Sequence, residues 1–202
     1  MEPEPWSHNI HHHPLVLDAV PDGAERALDV GCGTGLLVRR LGERLGTAVG
    51  IDRDAPSIER AREAGGDGVD YVLGDVLDHP FVPESFDLVA TVATLHHMDA
   101  ATGLARLRDL LRPGGALVVV GLARTRAPVD GAHDMAGFFA TRWLRRTRTE
   151  TPNPVPMVWP PPQTFGQVRR TAEQVLPGVR YRRHVLFRYS LTWTKPATGP
   201  AR

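Results

Sequence analysis

The chain has 202 residues, 42% hydrophobic and 23% charged, enough to bury the core of one globular domain. Its single cysteine, Cys32, excludes an intrachain disulfide and a cysteine-cluster metal site, and no apolar run is long enough to cross a bilayer. The formal charge of +1 hides a division: residues 1–100 carry 7 Arg against 18 Asp and Glu, and residues 101–202 carry 17 Lys and Arg against 5 acidic residues.

Attraction between the two halves is the plain reading of that division. The cluster Arg142, Arg145, Arg146 and Arg148 invites comparison with an anion-binding patch. Nearly every basic residue of the chain is arginine, however, and no aromatic residues are spaced through the patch for base stacking. Neither a nucleic-acid nor a membrane partner is expected. The start, Met1-Glu2-Pro3-Glu4-Pro5, lacks the basic residues and apolar core of a signal peptide, so the expectation is a cytoplasmic monomer or homodimer.

In chain order, residues 1–25 are expected to form an N-terminal cap segment. Residues 1–13 are polar and irregular, and the run His11-His12-His13 is read as surface or lid, because neighbours in an extended segment cannot all reach one ion. A short helix is expected over 14–20, ended by Pro21-Asp22-Gly23. Arg26 to Val30 then reads as a buried strand running into Gly31-Cys32-Gly33-Thr34-Gly35 and a helix with apolar residues at 36, 37, 41 and 45. The glycines permit positive φ and leave the loop amides open to a ligand, and Cys32 reads as a small spacer rather than a nucleophile.

Thr47 to Ile51 is the second strand, ending at Asp52. An acidic residue about 20 positions beyond a glycine loop is placed to accept the hydroxyls of a ribose, and Asp54 is better placed to cap the next helix, 55–63. The third strand, 69–73, leads to Gly74-Asp75-Val76, where Asp75 either meets an adenine amine or serves as an ordinary turn aspartate. The fourth strand, 86–92, runs into Ala93-Thr94-Leu95-His96-His97-Met98. Asp99 caps a helix with Leu104, Leu107, Leu110 and Leu111, stopped by Arg112-Pro113-Gly114-Gly115, and 116–120 is a fifth, apolar strand. Strands alternating with helices predict an α/β doubly wound, mostly parallel sheet, with ligands beyond the carboxyl ends of the strands.

Residues 121–163 break this rhythm and are expected to be a helical and proline-rich insertion acting as a substrate lid. Phe138, Phe139, Trp143, Met157 and Trp159 are its candidate pocket walls, although ordinary packing explains the 135–143 stripe equally well. Thr164 opens a last helix to Val175. Strands over 179–186 and 188–194 follow, with Tyr189, Leu191 and Trp193 on one face, and 196–202 is expected to be a disordered tail.

The set Leu28-Asp29-Val30-Gly31-Cys32-Gly33-Thr34-Gly35, Gly50-Ile51-Asp52, Gly74-Asp75-Val76, Phe86 to Met98 and Leu111 to Gly115 resembles the class I S-adenosylmethionine-dependent methyltransferases. The resemblance implies a Rossmann-like seven-stranded sheet with one antiparallel strand, a methyltransferase domain over 26–195, and S-adenosyl-L-methionine as cofactor. It also implies cofactor contacts from Asp29, the 31–35 loop with Leu36, Asp52 and Arg53, Gly74, Asp75 and Val76, Thr91 and Val92, and His96. A small-molecule acceptor is expected, its methylated atom open among O, N and C.

An O or N nucleophile needs a base, and His96 and His97 are the leading candidates, with His13 and His133 behind them. Helix capping and contact with the cofactor edge explain the His96–His97 pair equally well. No Asn-Pro-Pro-Tyr-type sequence follows the fourth strand, and no Asp, Asp, Asn set for a magnesium ion is evident. The expectation is therefore no metal. The alternatives are a non-methylating protein of the same fold, a cyclase or partner subunit, and a nicotinamide-dependent oxidoreductase, which the missing third glycine at position 36 disfavours.

Overall fold

The computed structural model describes residues 7–125, 160–184 and 187–197. Seven strands form one sheet in the order β3-β2-β1-β4-β5-β7-β6. They are β1 (Arg26–Val30), β2 (Thr47–Asp52), β3 (Val69–Leu73), β4 (Phe86–Val92), β5 (Leu111–Leu122), β6 (Arg180–His184) and β7 (Arg188–Thr194). β1 to β5 are mutually parallel, and β7 runs antiparallel to both β5 and β6. The helices are α1 (His13–Leu17), α2 (Leu36–Leu45), α3 (Ala55–Ala64), α4 (Ala100–Leu110) and α5 (Phe165–Val175), with 3-10 turns at Ile10–His12 and Leu95–His97.

Strand periodicity of two divides the core between the two faces. Leu28, Val30, Val49, Ile51, Val89, Leu117 and Val119 pack against Leu104, Leu107 and Leu110 of α4 and Phe165, Val168 and Ala172 of α5. The intervening positions, Ala27, Ala48, Leu88, Ala90, Ala116 and Val118, face Leu37, Val38 and Leu41 of α2, Ile58 and Ala61 of α3, and Val16 of α1. Tyr189, Leu191 and Trp193 join the α4–α5 side together, as their spacing predicts.

Both expected acidic caps are present: Asp54 accepts from Ser57 N at 3.0 Å, and Asp99 from Thr102 N at 2.9 Å. Thr164 and Gln167 form a reciprocal capping box at the start of α5.

Several boundaries differ from expectation, most of all around α1, β5 and β6. Ile10–His12 is a 3-10 turn and His13 opens α1, so this stretch is ordered, with His12 and His13 buried. Pro14 suits the first helical turn, and the helix gives way after Leu17 to single turns that lead into Pro21. β5 begins at Leu111, not Ala116, and runs on to Leu122, because Gly121 and Leu122, expected in the insertion, pair with Tyr189 and Arg188 of β7. Arg112 binds both oxygens of Asp87 at 2.9 and 3.1 Å, and Gly114 and Gly115 exchange backbone hydrogen bonds with Lys195, so the Arg-Pro-Gly-Gly stretch is drawn into the sheet across a register shift. β6, Arg180–His184, opens one residue later than expected, and the expected end at 185–186 lies outside the described residues.

The expected helix over 130–148, the arginine cluster, His133, the proline run and the pocket walls Phe138, Phe139, Trp143, Met157 and Trp159 lie outside the described residues.

Candidate cofactor and acceptor site

The carboxyl ends of β1, β2, β3 and β4 bring the sequence motifs to one edge. The chain leaves β1 through Gly31, whose N–H donates to Ile51 O at 2.8 Å, and Cys32 N donates to the same oxygen at 3.2 Å. Gly31, Gly33 and Gly35 have φ of 75°, 53° and 77°. A Cβ at Gly31 would collide with the Thr94 side chain, and one at Gly35 would lie 2.5 Å from the Tyr71 ring. The glycines are therefore set by backbone sign and by neighbours as much as by any ligand.

Asp52 braces this loop. Its Oδ2 accepts from Gly33 N at 2.8 Å and its Oδ1 from Asp54 N at 2.9 Å. A carboxylate has about four acceptor positions, so two remain for the hydroxyls of a ribose. Asp29 lies buried near it, with Oδ1 lacking a partner among the described residues. Burial, and secondarily the charge of Asp52, push its carboxyl up to about 7. Cys32 is buried beside both aspartates, and burial drives its thiol upward, which fits a spacer and not a nucleophile.

Beyond β3, Gly74 N donates to Asp52 O at 2.9 Å. Asp75 Oδ1 accepts from Leu77 N at 3.0 Å while Oδ2 faces Arg53 at 3.5 Å, so Asp75 is a turn aspartate that still presents a carboxylate edge. Val76 is buried in the α4–α5 core. Thr34, Leu36 and Val92 are half-buried at the same edge. Thr91 is buried, its hydroxyl without a partner among the described residues. Ala93 has φ 58°, an uncommon backbone state for alanine, and its N–H donates to Val120 O at 2.7 Å. That turn lays Thr94 on Gly31 and starts the Leu95–His97 turn.

The two histidines of that turn diverge. His97 is exposed, and Asp52 and Arg53 both act on its charge; burial lowers its pKa. Among the described residues neither ring nitrogen of His96 has a partner, and burial, then His97 and Arg188, hold it down to about 4. It lines a shallow cleft with Leu95, Met98, Leu122, Pro162, Gln163, Val168 and Tyr189, between the ends of β4, β5 and β7 and the start of α5. His13 faces Arg40 of α2, its Nδ1 3.3 Å from Nη1, and not the His96–His97 pair. Among the described residues no group of His, Cys, Asp and Glu is placed to hold a metal ion.

Sequence reasoning missed the seam that ties the N-terminal segment across this edge. Arg188 Nη2 donates to Asn9 Oδ1 at 3.0 Å, the His12 ring lies 5.3 Å from His184, and His184 Nε2 is 2.7 Å from Ser190 Oγ. Only the pairing of Arg188 with Leu122 brings these residues to the ligand edge, and that register has no local signature.

A model of a methyltransferase domain matches residues 28–119. An uncharacterised methyltransferase of Mycobacterium tuberculosis is 35% identical over 195 residues, covering 96% of this chain and 98% of that one. The chain belongs to the class I S-adenosylmethionine-dependent methyltransferases. Among solved structures, the N-methyltransferase NodS of Bradyrhizobium japonicum has a TM-score of 0.62 at 18% identity, covering 93% of this chain and 96% of that one. The [4+2]-cyclase SpnF has a TM-score of 0.66 at 18% identity, covering 93% and 80%. At that identity both show the shared fold alone. Membership sets aside the nicotinamide-dependent reading.

The methyltransferase edge fits its cofactor. The open oxygen of buried Asp29 suits an ammonium, the glycine-loop amides suit a carboxylate, and the two spare acceptor positions of Asp52 suit a ribose. S-adenosylmethionine, when bound, supplies an activated methyl group. The chain must then hold a nucleophile in line with it and exclude water.

Proposed function

We propose that this methyltransferase acts on a small-molecule acceptor seated beside His96, with the cofactor held by Asp29, the Gly31–Gly35 loop, Asp52 and the Arg53–Asp75 pair. One observation carries the reading. His96 lines a shallow cleft next to the cofactor edge, and both its ring nitrogens are buried without a partner among the described residues, which leaves it a polar group uncommitted to the fold. His97 lies toward Asp52 and serves the cofactor side of the same turn, and His13, engaged with Arg40, braces the N-terminal segment. No helix among the described residues is long and apolar enough to cross a membrane, and the reading is of a cytoplasmic enzyme acting as monomer or homodimer.

The test has two stages. Calorimetry with S-adenosylhomocysteine should give a micromolar-range affinity, and incubation with methyl-labelled cofactor and a small-molecule extract should place label in a low-mass product. Binding without any low-mass labelled product would sink the small-molecule reading.

A further inference from the structure

We propose that Arg39 and Tyr71 are positioning residues for the cofactor: from behind the glycine loop they hold the Thr34 and Gly35 carbonyls, and so aim the amides that open α2 at the carboxylate of S-adenosylmethionine. The inference rests on the cofactor seat given above and adds to it two residues that act through the loop. Arg39 Nη1 donates to Thr34 O at 2.9 Å, and Arg39 N donates to Gly35 O at 3.0 Å. Tyr71 Oη donates to the same Gly35 oxygen at 3.4 Å, and its ring stands where a Cβ of Gly35 would lie.

Distant parts of the chain set up this brace. Asp29, Gly50 and Tyr71 pair in one row across β1, β2 and β3. A Cβ at Gly50 would lie 2.8 Å from Cys32 Sγ, so the bare glycine makes room for Cys32 under the loop, and Tyr71 reaches Gly35 from the edge strand. Its backbone is fixed in turn: Arg62 Nη2 donates to Tyr71 O at 2.8 Å, and Tyr71 N donates to Asp70 Oδ1 at 2.8 Å. The stem of Arg39 crosses Gly66, where a Cβ would lie 3.1 Å from Arg39 Cγ. Burial raises the Tyr71 hydroxyl above its ordinary range while the Arg39 guanidinium acts against that rise, so the hydroxyl stays a protonated donor at neutral pH.

A peptide plane turns its carbonyl and the next amide in opposite directions. With the Gly35 carbonyl held toward Arg39 and Tyr71, the Leu36 N–H faces away from them. The loop's own bonds use other amides: Gly31 N and Cys32 N meet Ile51 O, Gly33 N meets Asp52, and Gly35 N meets Cys32 O. That leaves the amides at the start of α2 as the natural donors to an anion, and the N-cap there is Gly35 at φ 77°, with no side-chain cap. A left-handed glycine is free to turn either way, so its orientation needs outside support. Arg39 and Tyr71 supply it.

Two ligands separate this role from a purely structural one. S-adenosylhomocysteine carries the amino-acid carboxylate, and 5′-methylthioadenosine is a nucleoside thioether without it. Both are titrated calorimetrically into the full chain and into Arg39→Ala, Arg39→Lys and Tyr71→Phe, with thermal melts alongside. Arg39→Ala is expected to lower S-adenosylhomocysteine affinity about tenfold, the loss of one charge-assisted hydrogen bond, and to leave 5′-methylthioadenosine within about twofold. Tyr71→Phe keeps the ring against Gly35 and should lower the first affinity by about threefold. Arg39→Lys keeps a donor and should recover part of the loss. Equal losses for the two ligands would mean a structural role and overturn the inference, as would unchanged affinity for both. Asp52→Ala tests the seat itself, because the ribose is common to both ligands: losses for both keep the seat, and no loss for either removes it along with the brace.

Discussion

On the proposed reading one Asp52 carboxylate both braces the glycine loop and holds the ribose, and replacing it removes both roles. Asp52→Ala removes the acceptor for Gly33 N and Asp54 N, bonds of 2.8 and 2.9 Å, and the two positions left for a ribose. Hydrogen bonds to a charged group contribute about 1.5–3 kcal/mol each, so losing both ribose contacts lowers cofactor affinity by about 3–6 kcal/mol, on the order of 10²–10⁴-fold. Loosening of the Gly33 amide adds to that loss. Calorimetric titration with S-adenosylhomocysteine reads the affinity, and a thermal melt reads the fold. Asp54→Ala is the control: it removes the α3 cap, costing about 1 kcal/mol of stability, and leaves affinity unchanged. Affinity of the Asp52→Ala protein within threefold of wild type would refute the reasoning.

Cofactor binding should expel a proton, because Asp29 is pushed up to about 7 in the free protein and an ammonium beside it drives ionisation. Titrations at pH 7 in buffers of different ionisation enthalpy should report roughly half a proton released, and buffer-independent heats would count against it. The buried histidines should make the fold acid-sensitive. His12 is held down to about 3 and His13 and His96 to about 4, against 6.5 unfolded, so below pH 6.5 the unfolded chain takes up protons that the native one does not. Asp29 has the opposite sign over pH 7 to 4. The net expectation is a loss of up to ~3 kcal/mol per pH unit on acidification from 6.5 toward 4, read by urea melts at pH 7 and pH 5; equal stabilities would contradict it. Gly31→Ala should destabilise by several kcal/mol, through φ 75° and the Thr94 contact. Adding Thr94→Ala should recover the contact part and leave about 1 kcal/mol of backbone strain; additive effects in the double mutant would show that the two residues do not meet.

Much of the fold was legible because it depends on local signals. β1, β3, β4 and β7 and the start and end of α5 fall where apolar periodicity, turn residues and caps place them. The antiparallel position of β7 followed from the family resemblance, not from periodicity. What escaped were features decided by partners far away in the chain. Nothing around Arg112-Pro113-Gly114-Gly115 signals that Asp87 and Lys195 will draw it into β5. His12 looks like a surface histidine until His184 of β6 and Arg188 of β7 are brought against it. Spacing put Asp52 forward as a ribose ligand, while its bond to Gly33 had no signal in the sequence, because a backbone amide has no residue code.

That bond changes what the glycine loop means. Gly31 cannot carry a Cβ because Thr94 occupies the space, and Thr94 is there because Ala93, at φ 58°, turns the chain back onto β5. Gly33 is fixed by Asp52, and Gly35 backs onto Tyr71 of β3. The loop is thus shaped by β2, β3 and β4 together before any cofactor arrives. Preorganisation of that kind reduces the ordering cost of binding. The same turn that sets Thr94 against Gly31 carries His96 to the cleft beside β5 and His97 toward Asp52. A strained alanine at the end of β4 therefore couples the glycine loop to the histidines of the following turn. Relaxing it with Ala93→Gly should cost catalysis more than stability, because the backbone gains freedom where the two sites share a support.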